Sequence, residues 1–199
     1  MIHPHTELRF INEKIGYGVV ATRFIPKGTI TWAKDKLDRA FEPSQVDAFE
    51  DIYRDILEKY CYVDNQGRYV LCWDISRYVN HSFNSNCLST PYEFEIAIRD
   101  IYPGEELTDD YGYLNVKEPF ECLPEPGTER THVLPDDLLK YHPVWDKKLK
   151  DAFTFFNVVE QPLKSLLSEE VLKKAENIVK GKAQMESILN CYYDRTKKV

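Results

Sequence analysis

The sequence predicts a mainly β, α+β fold with a helical C-terminal extension. Three observations carry this. Short β-rich runs broken by Gly and Pro turns fill residues 1–115, one amphipathic helical segment interrupts them, and from Pro135 onward the apolar spacing is helical. A chain of 199 residues can bury a core without disulfide or metal staples.

The elements follow in order. ELRFI (7–11), YGVVAT (17–22) and TITWA (29–33) read as strands, separated by Gly16, Gly18 and the Pro26-Lys27-Gly28 turn. Over 44–60, Val46, Phe49, Ile52, Tyr53, Ile56, Leu57 and Tyr60 form one helical stripe, with Ser44 as N-cap and Asp47 completing a capping box. YCYVD and RYVLCWD flank Asp64-Asn65-Gln66-Gly67 as a hairpin. EFEIAIR (93–99) alternates, with Phe94, Ile96 and Ile98 on one face. PEPGT after Leu123 reads as a loop. Residues 168–189 carry Val171, Leu172, Ala175, Ile178, Val179 and Ile188 at helical spacing behind a Ser168 cap.

Composition excludes several classes. Hydrophobic residues make up 43% and charged residues 30%, which is too apolar for a disordered chain. No apolar run reaches the roughly 18 residues of a membrane span, and MIHPHTELRFINEK has no secretory pattern. The five cysteines, at 61, 72, 87, 122 and 191, show no close zinc-knuckle spacing, so free thiols in a reducing, intracellular setting and no metal are expected. Residues 131–199 carry a net charge of +2 and residues 1–130 a net of −9. The acidic portion favours a basic partner over nucleic acid.

Three segments hold the chemistry: KIGYGVVA (14–21), RYVNHSFNSNC (77–87) and GEELTDDYGY (104–113). Singly, each is as well read as a turn or a strand end. In this order and at these intervals they resemble the SET domain of protein-lysine methyltransferases, over roughly residues 5–122. RYVNHSFNSNC is similar to the family's R-F-x-N-H-S-x-x-P-N-C with Ser85 in place of Pro, and GEELTDDYGY to its G-E-E-L-T-x-D-Y-G. The resemblance implies a SET-domain core over 1–122, with a knot-like threading of the last two motifs and a helical insert near 44–60. It also implies a post-SET-like loop over 123–134, without zinc cysteines, and a helical extension over 135–199.

It further implies S-adenosyl-L-methionine as cofactor, S-adenosyl-L-homocysteine as product, and a basic protein or peptide such as a histone tail as substrate. Tyr111 matches the catalytic tyrosine beside the reacting methyl and amine. Gly16, Tyr17, Gly18, Asn80 and His81 match cofactor-contacting positions. Arg77 is assigned to support the cofactor wall, and Phe120 to pack on the adenine face. Asp109, Tyr113 and Ser89 are assigned to the substrate channel. A lysine amine, with a reference pKa near 10.4, must shed a proton before it attacks, so such a channel has to desolvate and orient it.

Two departures stand out. Pro124 occupies the second position of the family's F-x-C-x-C-G segment, so lid closure must come from elsewhere, the helical tail being the candidate. Two residues before the catalytic tyrosine, relatives usually carry Tyr or Phe, which limits product multiplicity. Asp109 stands there instead, and a carboxylate holding the N–H groups of an ammonium favours monomethylation. The alternative is a catalytically silent SET-like module that binds a basic protein; Tyr111 together with Asn80 and His81 argues for the enzyme. A Rossmann-type methyltransferase is a poor third, since no βαβ pattern surrounds the G-x-G.

Overall fold

A computed structural model describes residues 1–196. Twelve short strands form five small sheets among these residues, with helices between and behind them. Strands β1 (Thr6–Asn12) and β2 (Gly16–Ala21) make an antiparallel hairpin, in which Gly16 supplies the positive φ of 83° at the turn. Strands β3 (Ile30–Ala33), β8 (Cys87–Ser89) and β9 (Phe94–Ala97) form a sheet in the order β3-β9-β8. Phe94 and Ile96 are buried in it, as the alternation of that segment predicts.

The next sheet, in the order β4-β6-β5, joins β4 (Arg39–Phe41), β6 (Tyr69–Leu71) and β5 (Cys61–Val63). The hairpin between β5 and β6 turns where the sequence places it. Asp64 Oδ1 accepts from the amides of Gln66 and Arg68 at 2.9 and 3.0 Å, and Gly67 takes a φ of 81°.

Two helical expectations need correction. The 44–60 segment is two helices, α1 (Pro43–Asp47) and α2 (Asp51–Tyr60), broken at 48–50. Pro43, with its fixed φ, starts α1 ahead of Ser44. The cap residue is therefore Glu42, whose amide donates to Gln45 Oε1 at 2.8 Å. Asp47 ends α1 instead of completing a capping box. The 168–189 pattern yields α4 (Glu169–Val179), capped as expected by Ser168. The helix stops before Gly181 at φ 68°, and Ile188 lies in a separate 3-10 turn, Ile188–Cys191.

The motif segments meet as two very short parallel strands, β7 (Asn80–His81) and β10 (Thr108–Asp109), with Asn80 opposite Thr108 and His81 opposite Asp109. Behind the β3-β9-β8 sheet runs α3 (Asp137–Phe153). Its Leu138, Trp145, Leu149 and Phe153 share one buried cluster with Ile30, Leu88, Phe94 and Ile96. Each such side chain contributes roughly 1.5–3 kcal/mol by leaving water. Residues 135–196 thus complete the core as well as bordering the site.

The Gln161 amide seals that junction. It accepts from the Ile30 amide at 2.8 Å and donates to the carbonyls of Gly28 and Phe156 at 2.7 and 2.9 Å. All five cysteines are free, two of them buried. Burial raises the Cys61, Cys72 and Cys191 thiols to about 12, which leaves them poor nucleophiles.

Candidate active site

The β2 strand and the β7–β10 pair converge on Asn80. Its amide nitrogen donates to the Tyr17 carbonyl at 3.0 Å and to Glu106 Oε1 at 2.7 Å. A Cβ on Gly18 would lie 2.2 Å from that Glu106 oxygen and 2.9 Å from the Asn80 nitrogen, so only glycine admits the arrangement. Asn86 ties the same strands: it donates to the Glu106 carbonyl at 2.8 Å and accepts from the Thr108 amide at 2.9 Å. Gly16, Tyr17, Gly18 and Asn80 are therefore brought together. The sequence reading passed over Asn86 and Glu106, although both lie inside the quoted motifs.

Tyr111 begins the next turn, where Asp110 Oδ1 accepts from the Gly112 amide at 3.0 Å. The Tyr111 amide donates to His81 Nδ1 at 3.1 Å, which requires the ring proton on Nε2. Burial holds the His81 pKa below its ordinary value, so the ring is neutral at pH 7. Its Nε2 is buried without a partner. The rings of His81, Tyr111 and Phe120 lie 5.5 to 6.2 Å apart. Burial, followed by the charges of Asp109, Glu95 and Glu106, raises the Tyr111 phenol well above its ordinary range, so it stays protonated.

A cavity of about 760 Å³ opens on the other side of Tyr111. Tyr111, Asp109, Tyr113, Ser89, Glu95 and Phe120 contribute to its wall, whereas Gly16, Tyr17, Gly18, Asn80 and His81 do not. The site is thus two-sided, with Tyr111 at the seam. Arg77 lines the cavity, its guanidinium over Tyr60 and Tyr78 at 6.0 and 5.4 Å.

A buried acid and a half-buried one mark the wall. Asp109 is 5% exposed, and its carboxylate interacts with the buried Tyr113 hydroxyl and with Glu95. Glu95, which sequence reading saw only as the polar face of a strand, accepts from Ser89 Oγ at 2.9 Å. Burial, then the Asp109 charge, pushes Glu95 well above the carboxylate range, and burial raises Asp109 to about 6. The two acids interact, so they titrate as a pair and resist carrying two negative charges at once. No group of three or more His, Cys, Asp or Glu side chains is disposed to hold a metal among the described residues. No helix among them is long and apolar enough to cross a membrane.

Small sheets, with the Asn80–His81 and Thr108–Asp109 strands of the two motif segments set side by side and parallel, are consistent with an α+β fold of the SET type. The SET domain family model matches residues 16–112. The chain is also similar to the Variant-silencing SET domain-containing protein of Plasmodium falciparum (isolate 3D7), with 31% identity over 141 residues. The match covers 61% of this chain and 5% of the relative's length, so the chain matches only a small part of that protein.

Proposed function

We propose that this protein transfers a methyl group from S-adenosyl-L-methionine to a lysine side chain of a basic protein or peptide, such as a histone tail, in an intracellular compartment. The observation that carries the reading is the position of Tyr111. Its amide is bonded to His81 on the motif side, and its ring lines a cavity that Asp109 and Glu95 also line on the other. The knot-like threading of the two motifs belongs to the same proposal.

The residues present fit the cofactor. Nothing lies within 4 Å of where a Gly16 side chain would stand, so its backbone is open to close approach. The buried Nε2–H of His81 lacks a partner, and the Phe120 ring is 36% exposed beside it. Asn80 has committed its nitrogen to Tyr17 and Glu106, so its oxygen is what it offers to an ammonium group. S-adenosyl-L-methionine would supply an electrophilic methyl on a sulfonium.

The chain's own groups do the rest. Asp109, ionised above about pH 6, holds the N–H groups of an incoming ammonium. The surrounding aromatic wall excludes water and aligns the nitrogen. Tyr111 keeps its proton and offers oxygen lone pairs to positive charge that develops nearby. The Asp109 charge also resists loss of the amine's proton, so turnover rises with pH until that proton leaves freely.

The test is methyl incorporation from radiolabelled S-adenosyl-L-methionine into mixed core histones and a cell lysate. The parent protein labels an acceptor and Tyr111→Phe does not. If the parent binds S-adenosyl-L-methionine but labels nothing, the chain is a silent binding module.

A further inference from the structure

The segment after Gly112 is where the resemblance leads to a zinc-bound cysteine cluster and where this sequence has none. The structure puts a small hairpin there. Strands β11 (Phe120–Glu121) and β12 (His132–Val133) pair antiparallel, with Phe120 opposite Val133, and the Cys122 amide donates to the Thr131 carbonyl at 2.8 Å. Its loop carries two charged side chains that reach the two motif segments from opposite ends.

Glu125 reaches the first. Its carboxylate accepts from Ser82 Oγ at 2.8 Å and from the amides of Phe83 and Asn84 at 3.3 and 3.2 Å. Asn84 returns a bond from its side-chain nitrogen to the Pro126 carbonyl at 2.7 Å. These donors follow directly on the Asn80–His81 strand and have no sheet partner beyond it, so a carboxylate is well suited to collect them.

Arg130 reaches the second. Its guanidinium forms a charge-paired hydrogen bond with Asp110 Oδ2, a longer one with Asp110 Oδ1 at 3.2 Å, and another with Asp137 Oδ2 at 2.7 Å. The Asp110 and Asp137 side chains are only 1% and 2% exposed. Two carboxylates so deeply buried need a cation between them. The guanidinium plane lies between the Phe83 and Tyr141 rings, at 4.3 and 4.4 Å from their centroids. That flat, forked shape cannot be matched by lysine. A Cβ on Gly112 would sit 2.9 Å from Arg130 Nη2 and 2.9 Å from Asp137 Cβ, so the glycine of the Asp-Tyr-Gly motif is what lets the cation in.

Both anchors act on the site through one intermediate group. Asp110 also holds the Gly112 amide, which fixes the turn that starts at Tyr111. Phe83, beneath the guanidinium, packs edge-on against the His81 ring at 4.4 Å.

We propose that residues 120–133 are a metal-free closure of the active site, latched by charges of opposite sign, with Glu125 and Arg130 as positioning residues for His81 and Tyr111. Asp137 and Tyr141 make the C-terminal extension the far wall of that latch. The inference rests on the methyltransferase reading for its catalytic consequence but not for its structural one.

The experiment compares the full-length parent with Arg130→Ala, Arg130→Lys, Glu125→Ala and Glu125→Gln. One readout is hydrogen exchange over 80–84 and 109–113. The other is kcat and KM for S-adenosyl-L-methionine with mixed core histones as acceptor. Arg130→Ala speeds exchange over 109–113 at least tenfold and lowers kcat at least tenfold, and Arg130→Lys recovers only part of each. Glu125→Ala speeds exchange over 80–84 and raises KM several-fold, while Glu125→Gln, which keeps an acceptor oxygen but loses the charge, recovers only part of each. A folded Arg130→Ala protein with unchanged exchange and kcat overturns the proposal. If that variant does not fold, unchanged exchange in Arg130→Lys and Glu125→Ala overturns it equally. A parent that labels no acceptor refutes the methyltransferase reading instead, and the exchange comparison still decides the latch.

Discussion

The Tyr111 hydroxyl donates to the Val79 carbonyl at 2.6 Å, while the Tyr111 amide donates to His81. One tyrosine is thus fastened at both ends to the Val79–His81 segment, on either side of Asn80. Its phenol is a fixed dipole and not a mobile acid, since burial keeps it protonated far above neutral pH. That arrangement suits a group whose task is to present an oxygen at a set place.

Tyr111→Phe should therefore keep the fold and cofactor affinity and lose turnover. Removal of one such preorganised group costs about 3–4 kcal/mol of barrier, or a factor of roughly 10²–10³ in kcat. The lost bond to Val79 should lower stability by only about 1 kcal/mol. Calorimetric affinity, melting temperature and kcat together check this, and an unchanged kcat places catalysis elsewhere.

Asn80→Ala should weaken S-adenosyl-L-methionine binding by roughly 1.5–3 kcal/mol, the worth of a hydrogen bond to a charged group. Gly18→Ala should do harm by another route, since its methyl group must displace the Glu106 carboxylate from Asn80. Titration calorimetry on both variants separates the effects. Parent-like affinity in a folded Asn80→Ala protein removes Asn80 from the cofactor site.

Asp109 should set the number of methyl groups added. Its carboxylate bonds the amine's N–H groups, and each methyl removes one donor, so the parent should give mainly monomethyl-lysine. Mass spectrometry of products from the parent, Asp109→Asn and Asp109→Tyr tests this. Trimethylation by all three leaves Asp109 without a role.

The same residue should leave a mark on stability. Its folded pKa, raised to about 6, lies above the unfolded value near 3.9, so the folded state binds its proton more tightly. The penalty vanishes only well below pH 4, where both states are protonated. Stability is lost as pH rises through that window, and the penalty is complete above about 6. Asp109→Asn should thus stabilise the protein at pH 7–8, by an amount on the order of 1–3 kcal/mol, with the gain fading toward pH 4. Melting curves of parent and variant from pH 4 to 8 decide it, and a pH-independent difference contradicts it.

Activity should be indifferent to chelators, because closure depends on Glu125 and Arg130 and not on thiolates. Dialysis against a strong chelator followed by a methylation assay checks this. Loss of activity that stoichiometric zinc restores would refute it.

How much of this was legible in the sequence depends on the range of the interaction. The β1–β2 hairpin, the Asp64–Gly67 turn and the Ser168 cap were readable because each is decided by neighbours in the chain. The break at 48–50 was not, because Phe49 and Tyr53 continue the apolar stripe across it and Pro43 overrides the Ser44 cap. Motif order brought Gly18, Asn80, His81 and Tyr111 into view. Glu95 escaped because a polar residue on an alternating strand reads as solvent-facing, and only the packed fold turns it toward Asp109. Arg130 escaped because its two carboxylates lie 20 and 7 residues away and a lone arginine in a loop carries no pattern.

Gln161 and the cluster it closes carry a further consequence. The matched family segment ends at 112, yet Ile30 and Phe94 rest on Trp145, Leu149 and Phe153, and the Gly28 carbonyl is held from residue 161. Ancestry and cooperativity therefore divide this chain at different places. A fragment cut at the edge of homology would keep the motifs and lose about a third of its interior. Inactivity in such a fragment would report on an unfolded scaffold and not on chemistry.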